Sequence, residues 1–184
     1  MRGGVTWDPD DKERTALHEA GHAVVAWSFD LPLGSIYLDL EKESGGTTAD
    51  RASIARLTLV EQIANWLAGY EAEQAFKRPG RKWNAGDDGQ VRRILRENDT
   101  PEDTPEGQDL GEQGRACAEA RLLKHEAKVR CVARHLIEHH YIDRVTFEEM
   151  MQRRKLGQIV RSLAAQLRAH LPTARRSSSS GRCQ

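Results

Sequence analysis

The sequence predicts a mainly α fold of the α+β class, with a small β element next to the first helix. Apolar residues recur at helical spacing over residues 10–29, 55–76 and 115–140. Strict alternation of apolar and polar residues is confined to residues 36–40. The chain has 184 residues, of which 38% are hydrophobic, so its length and composition suit one domain with short appendages.

The composition argues against several classes of protein. The 28 Lys and Arg residues balance the 28 Asp and Glu residues, so no overall basic excess favours nucleic-acid binding. Three cysteines without framework spacing indicate a reducing compartment. Residues 1–15 lack the apolar stretch of a signal peptide, and no run approaches the roughly 20 apolar residues of a membrane span. We therefore expect a cytoplasmic protein with no nucleic acid and no membrane as partner.

A helix followed by a strand pair is predicted for the first part of the chain. The acidic stretch at residues 8–11 is typical of a helix start, and Pro32 follows the expected helix end. Residues 36–40 alternate as a strand, and two glycines at 45–46 predict a turn. Residues 47–48 then begin a short return strand.

Helices and one loop are predicted for most of the remaining chain. Residues 55–76 read as one long helix or two, and the pair Asp87 and Asp88 lies at the start of the next helix. Residues 97–114 hold seven acidic residues, two prolines, three glycines and no basic residue, which predicts a flexible acidic loop. A long helix follows at 115–140.

The domain boundaries follow from these elements. Residues 1–11 form an N-terminal extension, and residues 12–171 form one domain that ends in a turn and short helices. The tail at 172–184 is rich in serine and arginine, and we expect it to be disordered.

The first helix carries the motif with most chemical content, HExxH. His18 and His22 are four residues apart, so they lie on one helix face and can bind one Zn²⁺. Zinc lowers the pKa of a bound water to roughly 7, and Glu19 is close enough to take its proton. The alternative is a structural pair of histidines. The third ligand stays open, because Ser28 stands where an extended HExxHxxGxxH motif would have histidine.

Five segments, in one order, extend the pattern beyond this motif. They are TALHEAGHAVVAW, IYLDLEKESGGTT, EQIANWLAGYEAEQAF, NAGDDGQVRRI and ARLLKHEAKVRCVARHLIEHHYIDRVTFEEM. Together, over about residues 12–150, they resemble the peptidase domain of FtsH-type AAA zinc metalloproteases. Tyr70 departs from the family pattern, which has arginine there. The resemblance implies a zincin-like helical peptidase domain.

The resemblance also implies roles for individual residues. His18 and His22 would bind zinc, Glu19 would be the general base, and an aspartate at a helix start would be the third ligand. Counted from Asp87, the following polar and apolar residues match the order in the family, which favours Asp87 over Asp88. The other aspartate would cap the helix.

A substrate-binding role is implied for the predicted strand. If this strand lies at a sheet edge, Ile36, Tyr37 and Leu38 can pair with an extended substrate backbone. The alternative is an ordinary half-buried strand.

These expectations define a function. The sequence has no GxxxxGK[ST] phosphate loop, so we expect an ATP-independent zinc metalloendopeptidase that cleaves flexible or unfolded protein segments. Zn²⁺ is the expected cofactor, and the partners are a protein or peptide substrate and either further copies of the chain or a separate unfoldase. Two alternatives stay open: a catalytically silent binding or regulatory module, and a zinc hydrolase of non-peptide substrates.

Overall fold

The fold is mainly helical with one small antiparallel sheet, which confirms the predicted class. The computed structural model describes residues 7–76 and 85–152. Its elements are α1 (Pro9–Ser28), β1 (Leu33–Asp39), β2 (Ser44–Ala49), α2 (Arg51–Ile54), α3 (Leu59–Phe76), α4 (Ala85–Glu97), α5 (Pro105–Lys124), α6 (Glu126–His139) and β3 (Tyr141–Ile142). Residues 144–150 are also helical.

The chain divides into two compact units, Met1–Met150 and Met151–Gln184. Of the second unit, only residues 151–152 are described. The predicted tail at 172–184, the part of the predicted domain after residue 152, and residues 77–84 before α4 lie outside the described residues. The end of the predicted domain at residue 171 therefore stays a prediction.

Helix α1 begins where its acidic residues suggest. The Asp8 carboxylate accepts a hydrogen bond from the Asp10 backbone N–H at 2.8 Å, and Pro9 occupies the first turn, where no N–H partner is lost. Asp10 and Asp11 lie at the positive end of the helix dipole. Residues 9–11 of the predicted extension belong to this helix.

Helix α1 is the central element of the first unit. It contacts α3, α5, α6, β1 and β2, and its middle part is buried. Gly21 permits the close approach to α3, since a Cβ there would lie 2.5 Å from the Ala68 carbonyl oxygen and 2.6 Å from Ala72 Cβ. This contact explains why glycine occupies a helix interior, where it costs about 1 kcal/mol relative to alanine.

The three strands are ordered β2-β1-β3, and both pairings are antiparallel. Ile36 of β1 lies opposite Thr47 on one side and Ile142 on the other. Strand β3 was not predicted from the sequence, since its two residues are too few to show a period. Its pairing makes β1 the central strand of the sheet.

The predicted acidic loop at residues 97–114 is wrong in its second half, which belongs to α5. The Thr104 side chain accepts a hydrogen bond from the Gly107 N–H at 3.1 Å, and Pro105 takes the first helical position. A Cβ at Gly114 would collide with Ile63 of α3, so the helix packs tightly there. Capping and packing outweigh the composition that suggested disorder.

The predicted long helix at 115–140 is interrupted. Helix α5 ends at Lys124 and α6 begins at Glu126, with His125 between them at φ −115° and ψ 17°.

In the described residues, no helix is both long and apolar enough to cross a membrane.

Glu71 provides a pH-dependent test of the α3–α5 interface. It is buried, and Arg115 Nε donates to its Oε1 at 3.1 Å. Burial raises the pKa of Glu71, and attraction to Arg115 offsets only part of this effect. Ionised Glu71 therefore lowers the stability of the fold as pH rises past roughly 4.3, the ordinary value for glutamate.

We expect the free energy of unfolding of Glu71→Gln, measured relative to wild type, to be higher at about pH 7 than at about pH 4. The reason is that glutamine does not ionise. Urea unfolding at both pH values measures this difference. If the difference between the two proteins is the same at both pH values, the account of Glu71 is wrong.

Candidate metal centre

Two imidazoles on α1 form the base of the candidate site. His18 and His22 lie one turn apart, and their Nε2 atoms are 3.1 Å from each other. His18 is 5% exposed, as is Glu19 beside it. Helical spacing therefore produces the predicted arrangement of two nitrogen donors next to one carboxylate.

Asp87 in the first turn of α4 completes the cluster. Its Oδ2 lies 3.0 Å from His18 Nε2 and 3.2 Å from His22 Nε2. The neighbouring Asp88 instead forms an ion pair with Arg92 one turn later on α4. The structure thus brings Asp87, and not Asp88, to the two histidines.

The donor atoms fit a metal ion. Within the described residues, His18, His22 and Asp87 are the group whose ligand atoms all lie within 4.8 Å of one another. Their separations of 3.0–3.2 Å are close to the roughly 3.3 Å expected between ligands of a tetrahedral zinc ion with bonds of about 2.0–2.1 Å. Two imidazoles and one carboxylate are typical of a site with one position left open.

The other nitrogen of each ring has its own partner. His18 Nδ1 lies 2.7 Å from Glu73 Oε1, and His22 Nδ1 lies 3.0 Å from the Asn65 carbonyl oxygen. Both acceptors belong to α3, so α3 holds Nδ1 in the protonated form and leaves Nε2 to face Asp87. This is the arrangement that orients imidazoles as metal ligands.

The charges in the cluster favour a proton or a cation. Burial lowers the pKa of His18, but hydrogen bonds to Asp87 and Glu73 outweigh it and raise the pKa to about 10. Burial acts to raise the pKa of Asp87, yet its bonds to His18 and His22 hold that pKa well below the usual range. A metal ion therefore has to displace a proton from His18, and its affinity must fall at low pH.

Strand β2 fixes the carboxylate of Glu19. The Thr47 hydroxyl lies 2.8 Å from Glu19 Oε2 and 3.0 Å from the Glu19 carbonyl oxygen. A Cβ at Gly45 would lie 2.7 Å from Glu19 Cγ, so the strand approaches α1 closely only because this residue is glycine. One carboxylate oxygen is thereby held in place beside the candidate metal ligands.

A cleft of about 370 Å³ contains the whole constellation. His18, His22, Asp87 and Glu19 line it together with residues 45–49 of β2. Its size falls in the range typical of small-molecule and cofactor sites.

The condition for the substrate-binding role predicted for Ile36, Tyr37 and Leu38 is not met, because β1 does not lie at an edge of the sheet. Strand β1 is paired on both sides, and the Leu38 N–H also donates to the His140 carbonyl at 2.9 Å. The backbone groups that a substrate would need are therefore already used. None of the three residues lines the cleft, and the strand beside the metal centre is β2.

Sequence reasoning missed Glu73, Asn65 and Thr47. Glu73 could have been predicted from the segment LAGYEAEQAF. It lies one helical turn after Gly69 and therefore on the same helix face as Gly69. Asn65 acts through its backbone carbonyl, for which no residue type gives a signal. Thr47 depends on the packing of β2 against α1, which spacing along the chain does not reveal.

Gly69 tests the packing of α3 on the two histidines. A Cβ at this position would lie 2.5 Å from Nε2 of both His18 and His22. We expect Gly69→Ala to displace the rings, to lower the stability by about 1–3 kcal/mol, and to weaken metal binding. Thermal unfolding and metal content of the purified variant measure these effects.

Gly111 on α5 offers a matched control, since a Cβ there meets nothing within 4 Å. Gly111→Ala should keep the metal content and gain about 0.5–1 kcal/mol from the lower backbone entropy of alanine. If Gly69→Ala keeps its metal content and gains stability as Gly111→Ala does, then α3 does not pack closely on His18 and His22.

No protein-family model matches the chain, and a search of curated proteins finds no significantly similar sequence. The case for a function therefore depends on the geometry of the site.

Proposed function

We propose that the chain is a zinc metallopeptidase with a zincin-like domain similar to that of FtsH-type proteases. The observation that carries this proposal is the convergence of three donor atoms on α1 and α4 in one cleft with the buried carboxylate of Glu19. A structural histidine pair needs neither the third donor nor an adjacent base. The order of sequence segments noted above adds support for peptide bonds as the target.

His18, His22 and Asp87 would hold the metal ion. Zn²⁺, when bound, supplies a Lewis acid that acidifies water and polarises a carbonyl group. Glu19 would take a proton from the attacking water on one carboxylate oxygen, while Thr47 holds the other oxygen. As the hydroxide adds to the carbonyl carbon and the C–N bond breaks, Glu19 would pass the proton to the leaving amine. Glu73 and the Asn65 carbonyl keep the two imidazoles oriented during this transfer.

The strand β2 is the part of the site that can align a peptide. Within the described residues β2 pairs only with β1, so its outer edge is unpaired, and residues 45–49 line the cleft. An extended peptide can add to this edge through backbone hydrogen bonds, which brings a peptide bond next to Glu19. Only a segment without its own secondary structure can bind in this way.

The need for a segment without its own secondary structure defines the expected class of substrate. We expect hydrolysis of flexible or unfolded protein segments without ATP, and slow or no hydrolysis of a compact folded protein. The test is to incubate the protein with ZnCl₂ and a disordered protein such as casein, in parallel with a stable folded protein, and to follow new amino termini. The proposal is contradicted if the zinc-bound protein releases no peptide from casein.

A further inference from the structure

The cleft extends beyond the metal ligands along α1. Ala26 lies one helical turn after His22 on the same face, and it lines the cleft together with Ile54 of α2 and Trp66 of α3. We call these three residues the Ala26 recess. Ala26 and Ile54 are buried, whereas Trp66 is partly exposed. The recess therefore offers an apolar surface next to the reacting groups.

Arg51 lines the same cleft as the Ala26 recess. Arg51 and Ile54 are three residues apart on α2, so they project from the same side, and both line the cleft. Among the cleft-lining residues that the structure describes, Arg51 is the charged residue other than Glu19 and the metal ligands. It is exposed, and no ion pair between described residues includes it.

We propose that Arg51 and the Ala26 recess bind a carboxylate-bearing residue of the peptide substrate, an inference that rests on the proposed function. A guanidinium presents a planar set of N–H donors that matches a carboxylate and can bind it through two parallel hydrogen bonds. The carboxylate can be the C-terminus of the substrate or the side chain of Asp or Glu. The apolar wall contacts the carbon atoms of the same residue.

The charge distribution in the cleft supports this assignment. Glu19 and Asp87 are the acidic side chains that line the cleft, and they lie in the metal-binding part, whereas Arg51 is cationic at every physiological pH. Arg51 is therefore the lining side chain outside the metal-binding part that attracts a substrate carboxylate.

The test measures binding by calorimetry with the full-length Glu19→Gln protein in ZnCl₂, because this variant should not consume the peptide. The probes are acetyl-Ala-Gly-Leu-Ala with a free C-terminal carboxylate or with a carboxamide, and a C-terminally amidated peptide with Glu or Gln after Leu. We expect a carboxylate peptide to bind about 10-fold more tightly than its neutral counterpart, the lower end for a charged hydrogen bond at an exposed arginine.

Two second-site variants, made in the same protein, identify the arginine. Arg51→Gln should reduce the preference for the carboxylate to less than about twofold. Arg56→Gln, which changes an exposed arginine nearby that does not line the cleft, should keep the preference. A preference seen only with the free C-terminus identifies the terminal carboxylate, and a preference seen only with Glu identifies an acidic side chain.

The inference is overturned if the neutral and charged peptides bind equally, or if Arg51→Gln keeps the preference. Cleavage by the wild-type protein is scored separately with the same peptides. If the protein prefers the carboxylate peptides but cleaves none of them, the proposed peptidase activity is wrong and the carboxylate site stands. If the protein cleaves the peptides but shows no preference for the carboxylate, the carboxylate site is wrong and the peptidase activity stands.

Discussion

Glu19→Gln should lower the rate of peptide hydrolysis by about 10²–10⁴-fold and should leave zinc binding intact. Glu19 lies outside the donor set of His18, His22 and Asp87, so its charge is not needed to hold the metal. Glutamine keeps the shape of the side chain and can still accept the hydrogen bond from Thr47. It cannot accept a proton from water, and the loss therefore falls on kcat.

A matched substitution on the same helix is Glu13→Gln, which changes an exposed glutamate that does not line the cleft. It should hydrolyse casein at the wild-type rate. The assay compares initial rates for the three proteins at equal zinc content. If Glu19→Gln retains the wild-type rate with its fold and metal intact, Glu19 is not the general base.

Asp87→Asn should weaken metal binding by more than the roughly 10–100-fold that is usual for loss of an outer hydrogen-bond partner, because Asp87 is itself a donor. Its Oδ2 lies within 3.2 Å of both histidine Nε2 atoms. Asparagine offers a neutral and weaker oxygen donor. Competition with a chromogenic zinc chelator gives the affinity of each protein.

The adjacent aspartate makes a direct control. Asp88 is paired with Arg92 on the surface of α4, and Asp88→Asn removes only this pair, which contributes about 0.3–0.5 kcal/mol at most. We expect Asp88→Asn to bind zinc as wild type does. Equal losses in Asp87→Asn and Asp88→Asn, or a loss only in the second, would contradict the assignment of the third ligand.

The parts of the site that local spacing determines were predictable from the sequence. His18, Glu19 and His22 share α1, where the 3.6-residue period fixes their relative positions. The choice of Asp87 over Asp88 came from the family resemblance, and in the structure Asp87 lies beside His18 while Asp88 pairs with Arg92. The zincin-like character and the peptidase activity remain predictions, since they depend on resemblance.

The parts that depend on long-range contacts were not predictable. The strand at residues 36–40 was a candidate edge strand, but Tyr141 and Ile142 pair with it from more than a hundred residues away. The helical start of α5 was hidden by acidic composition, although Thr104 and Pro105 form an ordinary capping signal. In the first case a strand pairing distant in sequence, and in the second a helix cap, produced a structure that the composition of the segment did not indicate.

The central claim is that the cluster on α1 and α4 holds one zinc ion that serves peptide hydrolysis. The most direct measurement is mass spectrometry of casein incubated with the zinc-loaded protein, with the chelator-treated protein, and with the treated protein after ZnCl₂ is restored. We predict new internal cleavage products with zinc, none after chelation, and the same products after restoration. One bound zinc per chain with no cleavage in any sample would contradict the claim and favour a catalytically silent metal-binding module.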